Sequence, residues 1–75
     1  MFKELDVVRL TDAVETDDPY LPERHYSLPV GLEGTIVAAL DNGRSQAYDV
    51  EFVSEEGKSR HATLTDDQFV LVEAL

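Results

Sequence analysis

Residues 48–52 read Tyr-Asp-Val-Glu-Phe, an unbroken alternation of large apolar and acidic side chains. In an extended backbone successive side chains point to opposite faces. Tyr48, Val50 and Phe52 therefore share one face, and Asp49 and Glu51 share the other, with Val53 on their parity. Five residues at this period predict a half-buried strand. An isolated strand has no use for such a face, so the rest of the chain must supply a sheet and something to cover it.

The flanking segments supply four further strands. Asp6 to Leu10 is short and rich in β-branched residues, with Val8 and Leu10 on one face. Thr35 to Leu40 sets Ile36, Ala38 and Leu40 against Thr35, Val37 and Ala39. Both sets are nearly apolar, which predicts that both faces are covered. Asp41-Asn42-Gly43 marks a turn, because Asn and Gly accept positive φ at little cost. Glu55-Glu56-Gly57-Lys58 marks another. Ser59 to Leu64 is the fourth strand, with Ala62 and Leu64 inward, and Phe69 to Val72 is the last. Between them Thr65-Asp66-Asp67-Gln68 reads as one short 3-10 turn with Thr65 as its cap. No segment supports a helix of ten residues.

Thr11 to Gly31 differs from all of these. It holds Pro19, Pro22 and Pro29 and no sustained apolar period, which excludes a helix or a central strand and predicts one long first loop. Loops of this length in compact domains are commonly functional.

At 75 residues the chain is one domain, residues 1–75. A domain of this size buries only roughly 60% of the surface its unfolded chain exposes. It has no cysteine and two histidines, so neither disulfides nor a thiolate zinc site can supplement the core. Neither a signal peptide nor a bilayer-spanning segment is legible, which predicts a cytoplasmic protein. Sixteen acidic against six basic residues give a net charge of −10. Such a chain is repelled by phosphate backbones and anionic lipid, so neither nucleic acid nor membrane is expected as a partner.

Three stretches carry a resemblance over nearly the whole chain. They are Phe2-Lys3-Glu4-Leu5-Asp6-Val7-Val8, Gly31-x-x-Gly34-Thr35-Ile36-Val37 and Tyr48-x-Val50-Glu51-Phe52-Val53, supported by Leu64-Thr65-x-x-Gln68. Together they resemble a family of small bacterial proteins recorded only as a domain of unknown function. The resemblance implies an all-β fold, a five-stranded SH3-like barrel, and no activity. Some of its members are encoded beside small toxin-like proteins, which implies a toxin-neutralising role as one reading. A more distant similarity to the SH3-like barrels of nitrile hydratase small subunits is architectural and carries no function. The first loop, Asp17 to Ser27, departs most from the family pattern.

No catalytic constellation emerges. Ser27, Ser45, Ser54 and Ser59 lack a nucleophile elbow, and Gly31-Leu32-Glu33-Gly34 lacks the Lys and Ser or Thr of a phosphate loop. The acidic pairs Asp17-Asp18, Glu55-Glu56 and Asp66-Asp67 fall in polar turns. There the burial that raises a catalytic carboxyl's pKa is missing. Nothing in their spacing brings His25 and His61 together, so no metal and no cofactor is expected.

The aromatic residues of the first loop are more informative. Tyr20 and Tyr26 bracket Leu21-Pro22-Glu23-Arg24-His25, and tyrosines are favoured at interface hot spots. In SH3 domains the corresponding loop lines a groove for extended ligands. Tyr20 and Tyr26 are thus expected as apolar anchors for a protein partner, and Asp17, Asp18 and Glu23 as its electrostatic contacts. The alternative is that both tyrosines pin the loop to the sheet, beside Leu21 and Leu28. The expected function is a non-enzymatic protein-interaction module. An acidic, antitoxin-like inhibitor of a basic protein and an accessory subunit of an enzyme complex are the alternatives. The edges of the first and last strands also allow a homodimer.

Overall fold

A computed structural model describes residues 2–17, 23–41, 43, 46–53, 57 and 59–74. Among them the chain forms seven strands, β1 (Val7–Leu10), β2 (Val14–Asp17), β3 (His25–Leu28), β4 (Glu33–Asp41), β5 (Gln46–Val53), β6 (Ser59–Leu64) and β7 (Phe69–Glu73). All pairings are antiparallel, in a five-stranded sheet of order β6-β5-β4-β1-β7 and a two-stranded sheet of β2 with β3. No pairing joins β6 to β7, so hydrogen bonds do not close the sheet into a barrel. No helix among the described residues is long and apolar enough to cross a membrane.

The alternation at Tyr48, Val50 and Phe52 is realised in β5, where each of the three is at most 1% exposed. Val8 and Leu10 of β1, Ile36 of β4, Ala62 and Leu64 of β6 and Phe69 of β7 join them in one core. That core requires a strongly curled sheet. Strands β5 and β7 are three positions apart in the order, roughly 14 Å in a flat sheet. The Tyr48 and Phe69 rings nevertheless meet edge to face at 5.6 Å, and Phe2 closes the cluster at 5.7 Å from Tyr48 and 4.7 Å from Phe69.

Three expectations need correction. The span from Thr11 to Gly31 is not one loop, because it carries the β2–β3 hairpin, paired Val14↔Leu28 through Asp17↔His25. Its strands alternate after all, with Val14, Thr16, Tyr26 and Leu28 turned inward and Glu15, Asp17, His25 and Ser27 exposed. Pro29 follows the last residue of β3, so it removes no ladder hydrogen bond, and Pro19 and Pro22 lie outside the described residues. The segment Thr65 to Gln68 is a single turn and not a 3-10 helix. Gln68 N–H donates to the Thr65 carbonyl at 3.1 Å and Thr65 N–H to Gln68 Oε1 at 2.9 Å, while the Thr65 hydroxyl turns to the Asp67 carboxylate. Finally, β4 is not covered on both faces. A bulge between Ile36 and Ala38 carries its second half past the core, leaving Val37 40% and Leu40 45% exposed. Of the two expected turns, the first places Gly43 N–H on Asp41 Oδ1 at 2.8 Å, while Asn42, Glu55, Glu56 and Lys58 lie outside the described residues.

Gly34, the second residue of β4, has a structural reason to lack a side chain. A Cβ there would stand 2.7 Å from two carbons of the Phe52 ring and 2.8 Å from the Glu51 carbonyl oxygen. The missing Cβ lets the Phe52 ring lie against the Gly34 backbone on the neighbouring strand.

Candidate functional site

The hairpin is held down by its inward residues. Leu28 is 5% exposed and belongs to the core, and Val14 packs against it. The Thr16 hydroxyl donates to the His61 carbonyl at 2.7 Å, tying β2 to β6. These contacts leave Tyr26 half-buried over the end of the main sheet, with the Arg60 guanidinium carbon 3.9 Å from its ring centroid. A cation over an aromatic face at that distance is attracted by the ring quadrupole, so each side chain fixes the other. Arg60 Nη1 also donates to the Ser59 carbonyl at 3.1 Å. No ion pair with a carboxylate forms at Arg60 among the described residues, although the chain is strongly acidic.

Beside this pair opens a groove of about 330 Å3. Tyr26, Leu28 and Pro29 wall it from the hairpin, Leu32 from the connection into β4, and Phe52, Val53 and Arg60 from the β5–β6 ladder. Its surface is predominantly apolar, and Arg60 is the one cation among the described residues that line it. Concave apolar surface with few polar groups is the ordinary form of a binding site.

The sequence-predicted residues distribute as follows. Tyr26 lines the groove. Asp17 lies on the hairpin's exposed face, where its Oδ1 is 2.5 Å from His25 Nδ1 across the β2–β3 ladder, so its carboxylate already has a partner. Glu23 is exposed just ahead of β3. Tyr20 and Asp18 lie outside the described residues. Leu28 anchors the hairpin as the alternative reading required, whereas Tyr26 both packs and lines the groove.

The two histidines stay apart, each with its own carboxylate, since His61 Nε2 lies 3.1 Å from Glu51 Oε2 on the β5–β6 ladder. No cluster of three metal-ligating side chains occurs among the described residues. Asp6 is the one buried charged residue among them, 2% exposed. Its Oδ2 accepts the Lys3 N–H at 3.1 Å and its Oδ1 has no partner. It closes the turn before β1, where Leu5 takes φ 71°, and it lines no part of the groove.

Arg60 is the site residue that the sequence reasoning missed. The signal was parity, since Arg60 shares the inward face of β6 with Ala62 and Leu64. A cation on an otherwise apolar face calls for a special partner, here the Tyr26 ring.

Fold and surface together define a small all-β domain whose distinguishing feature is a hairpin-walled apolar groove. The chain belongs to the family described as Domain of unknown function (DUF4926), which it matches over residues 4–71, from the turn before β1 into β7. No curated protein and no solved structure matches it.

Proposed function

We propose that the chain is a non-enzymatic protein-interaction module on an SH3-like barrel, taking its partner on the β2–β3 hairpin and the groove beside it. The barrel reading is supported by the curl of the sheet and by the order β6-β5-β4-β1-β7, in which a long hairpin-bearing connection separates the first two strands of the main sheet. The observation that carries the function is Tyr26, a half-buried tyrosine stacked under Arg60 at the wall of an apolar groove. Rigid aromatic side chains at the edge of an apolar pocket lose little entropy on binding, which is why they dominate interfaces. Tyr20, on the same connection, is the second anchor. Asp17 and Glu23, exposed at the hairpin, are its electrostatic contacts together with Asp18 of the same connection, so the partner is basic where it meets them.

The net charge of −10 favours one second reading, an acidic inhibitor that neutralises a basic protein in the bacterial cytoplasm. Salt separates the two. Attraction spread over the whole acidic surface is screened beyond about 8 Å at physiological ionic strength, whereas apolar contacts in the groove persist.

The test is recovery of the partner with the tagged 75-residue chain from its native cell, followed by binding measurements on the purified pair. Tyr26→Ala and Arg60→Ala are expected to weaken the pair at least tenfold with the circular dichroism spectrum unchanged. Wild-type affinity in both variants would remove the hairpin from the interface. Collapse of binding in high salt, whatever residue stands at position 26, would instead favour the inhibitor.

A further inference from the structure

Arg60 is half-buried on the inward face of β6, and the register of the sheet keeps the carboxylates of β5 away from it. It stands opposite Phe52, while Asp49 and Glu51 face the other way. There His61 Nε2 lies 3.1 Å from Glu51, and the Thr63 hydroxyl donates to Asp49 at 2.7 Å. In a chain with sixteen acidic residues, the cation of the groove thus has no ion pair with a carboxylate among the described residues. The Tyr26 ring covers one face of its guanidinium. A guanidinium carries five N–H donors in a planar fork. Among the described residues only the Ser59 carbonyl accepts from it, at Nη1. The rest of the fork stands beside apolar surface formed by Leu28, Pro29, Leu32, Phe52 and Val53.

We infer that the groove takes a peptide segment of the partner in which a large apolar residue adjoins Asp or Glu. The apolar side chain seats against Leu28, Leu32 and Phe52, and the carboxylate meets the Arg60 fork. This rests on the groove being the partner's docking surface and adds the chemistry of what enters it. A half-buried cation is less screened by water than an exposed one, so a counter-charge there gains more. The planar fork matches the two oxygens of a carboxylate, and stacking on Tyr26 fixes its plane in advance. The carboxylate belongs to a side chain and not to a chain end. Capture of a terminal carboxylate uses clustered backbone N–H groups. Those of the turn beside the groove are already engaged, Gly31 N–H with the Leu10 carbonyl at 2.9 Å and Leu32 N–H with the Pro29 carbonyl at 3.2 Å, and Pro29 has none. The net charge of −10 repels anions at a distance, so a carboxylate is held only where an apolar neighbour seats it. The segment is thus acidic at Arg60 and basic where it meets Asp17 and Glu23, a pattern that orients it along the hairpin.

Titration of the isotope-labelled chain with two capped tripeptides, followed by nuclear magnetic resonance, tests this on the unmodified protein. The peptides are acetyl-Leu-Glu-Leu-amide and acetyl-Leu-Gln-Leu-amide. Both are expected to shift the backbone amides of Leu28, Leu32 and Val53. The Glu peptide is expected to bind roughly fivefold more tightly and to shift the Arg60 Nε–H signal as well. Arg60→Gln is expected to remove the difference between the peptides, and Arg60→Lys, which keeps the charge without the fork, to retain part of it. Equal affinity of the two peptides for the unmodified chain, with the groove amides shifting, would overturn the carboxylate and leave the docking groove standing. Tighter binding of acetyl-Leu-Leu with a free carboxyl terminus than of the Glu peptide would overturn the choice of a side chain. No shift of the groove amides by either peptide at about 10 mM would overturn the docking groove itself.

Discussion

Replacing Gly34 by Ala tests the packing that positions both the core and the groove. The added Cβ would sit 2.7 Å from Phe52 Cδ1 and Cε1 and 2.8 Å from the Glu51 carbonyl oxygen, against an ordinary contact of about 3.5–4.0 Å. Neither neighbour yields cheaply. Phe52 is 1% exposed, and Glu51 is held in the β4–β5 ladder opposite Thr35. Overpacking of a closed core costs about 1–3 kcal/mol, offset by roughly 0.4–1 kcal/mol from the reduced freedom of Ala in the unfolded chain. A net loss of about 1–2 kcal/mol is a large share of the roughly 5 kcal/mol typical of a small domain, and each kcal/mol lowers Tm by about 4–8 °C. The measurement is urea unfolding, with a fall in midpoint at unchanged slope. Gly31→Ala is the control, because it has nothing within 4 Å and only the strain of φ 91°. Phe52→Leu should cost less in the Gly34→Ala background than alone, since the two share one clash. A Gly34→Ala chain within about 0.5 kcal/mol of the original, with no coupling to Phe52, would refute the argument.

Phe2→Ala removes the ring that meets both Tyr48 and Phe69, and is expected to lower stability by about 2–3 kcal/mol in urea unfolding, below the full cost of a completely buried Phe. Thr16→Val deletes the bond to the His61 carbonyl. Amide exchange should accelerate by roughly tenfold in β2 and β3 while β4 and β5 keep their protection. Leu5→Asn relieves a non-glycine residue at φ 71° in an exposed turn and is expected to raise the urea midpoint by up to about 1 kcal/mol of stability.

The parts of the fold that were legible in the sequence are those whose two faces differ chemically. In β5 the alternation of Tyr48, Val50 and Phe52 with Asp49 and Glu51 leaves one possible orientation, and in β6 Ala62 and Leu64 do the same. The hairpin was not legible because each of its strands has four residues and its inward faces pair one aliphatic residue with Thr16 or Tyr26. The prolines of the segment then dominate the reading, although Pro29 lies past the end of β3. The bulge in β4 escaped for a related reason, since Thr35 to Leu40 is apolar on both parities and nothing in it marks where the register slips. At the candidate site Tyr26 was legible as an aromatic on a polar connection. Arg60 was not, because its role depends on a ring thirty-four positions away in sequence, which only the folding of the hairpin over β6 brings near.

Salt separates the two forces that would hold a partner on the hairpin. Attraction between exposed carboxylates such as Glu23 and a basic partner is screened by added ions, whereas apolar contact with Tyr26 and Leu32 in the groove is not. A calorimetric titration from about 0.05 M to about 0.5 M salt is therefore expected to weaken binding to a plateau, and Tyr26→Ala is expected to remove the affinity that remains there. Binding that vanishes at about 0.5 M salt in the unmodified chain, or a plateau that Tyr26→Ala leaves in place, would mean that the groove does not hold the partner.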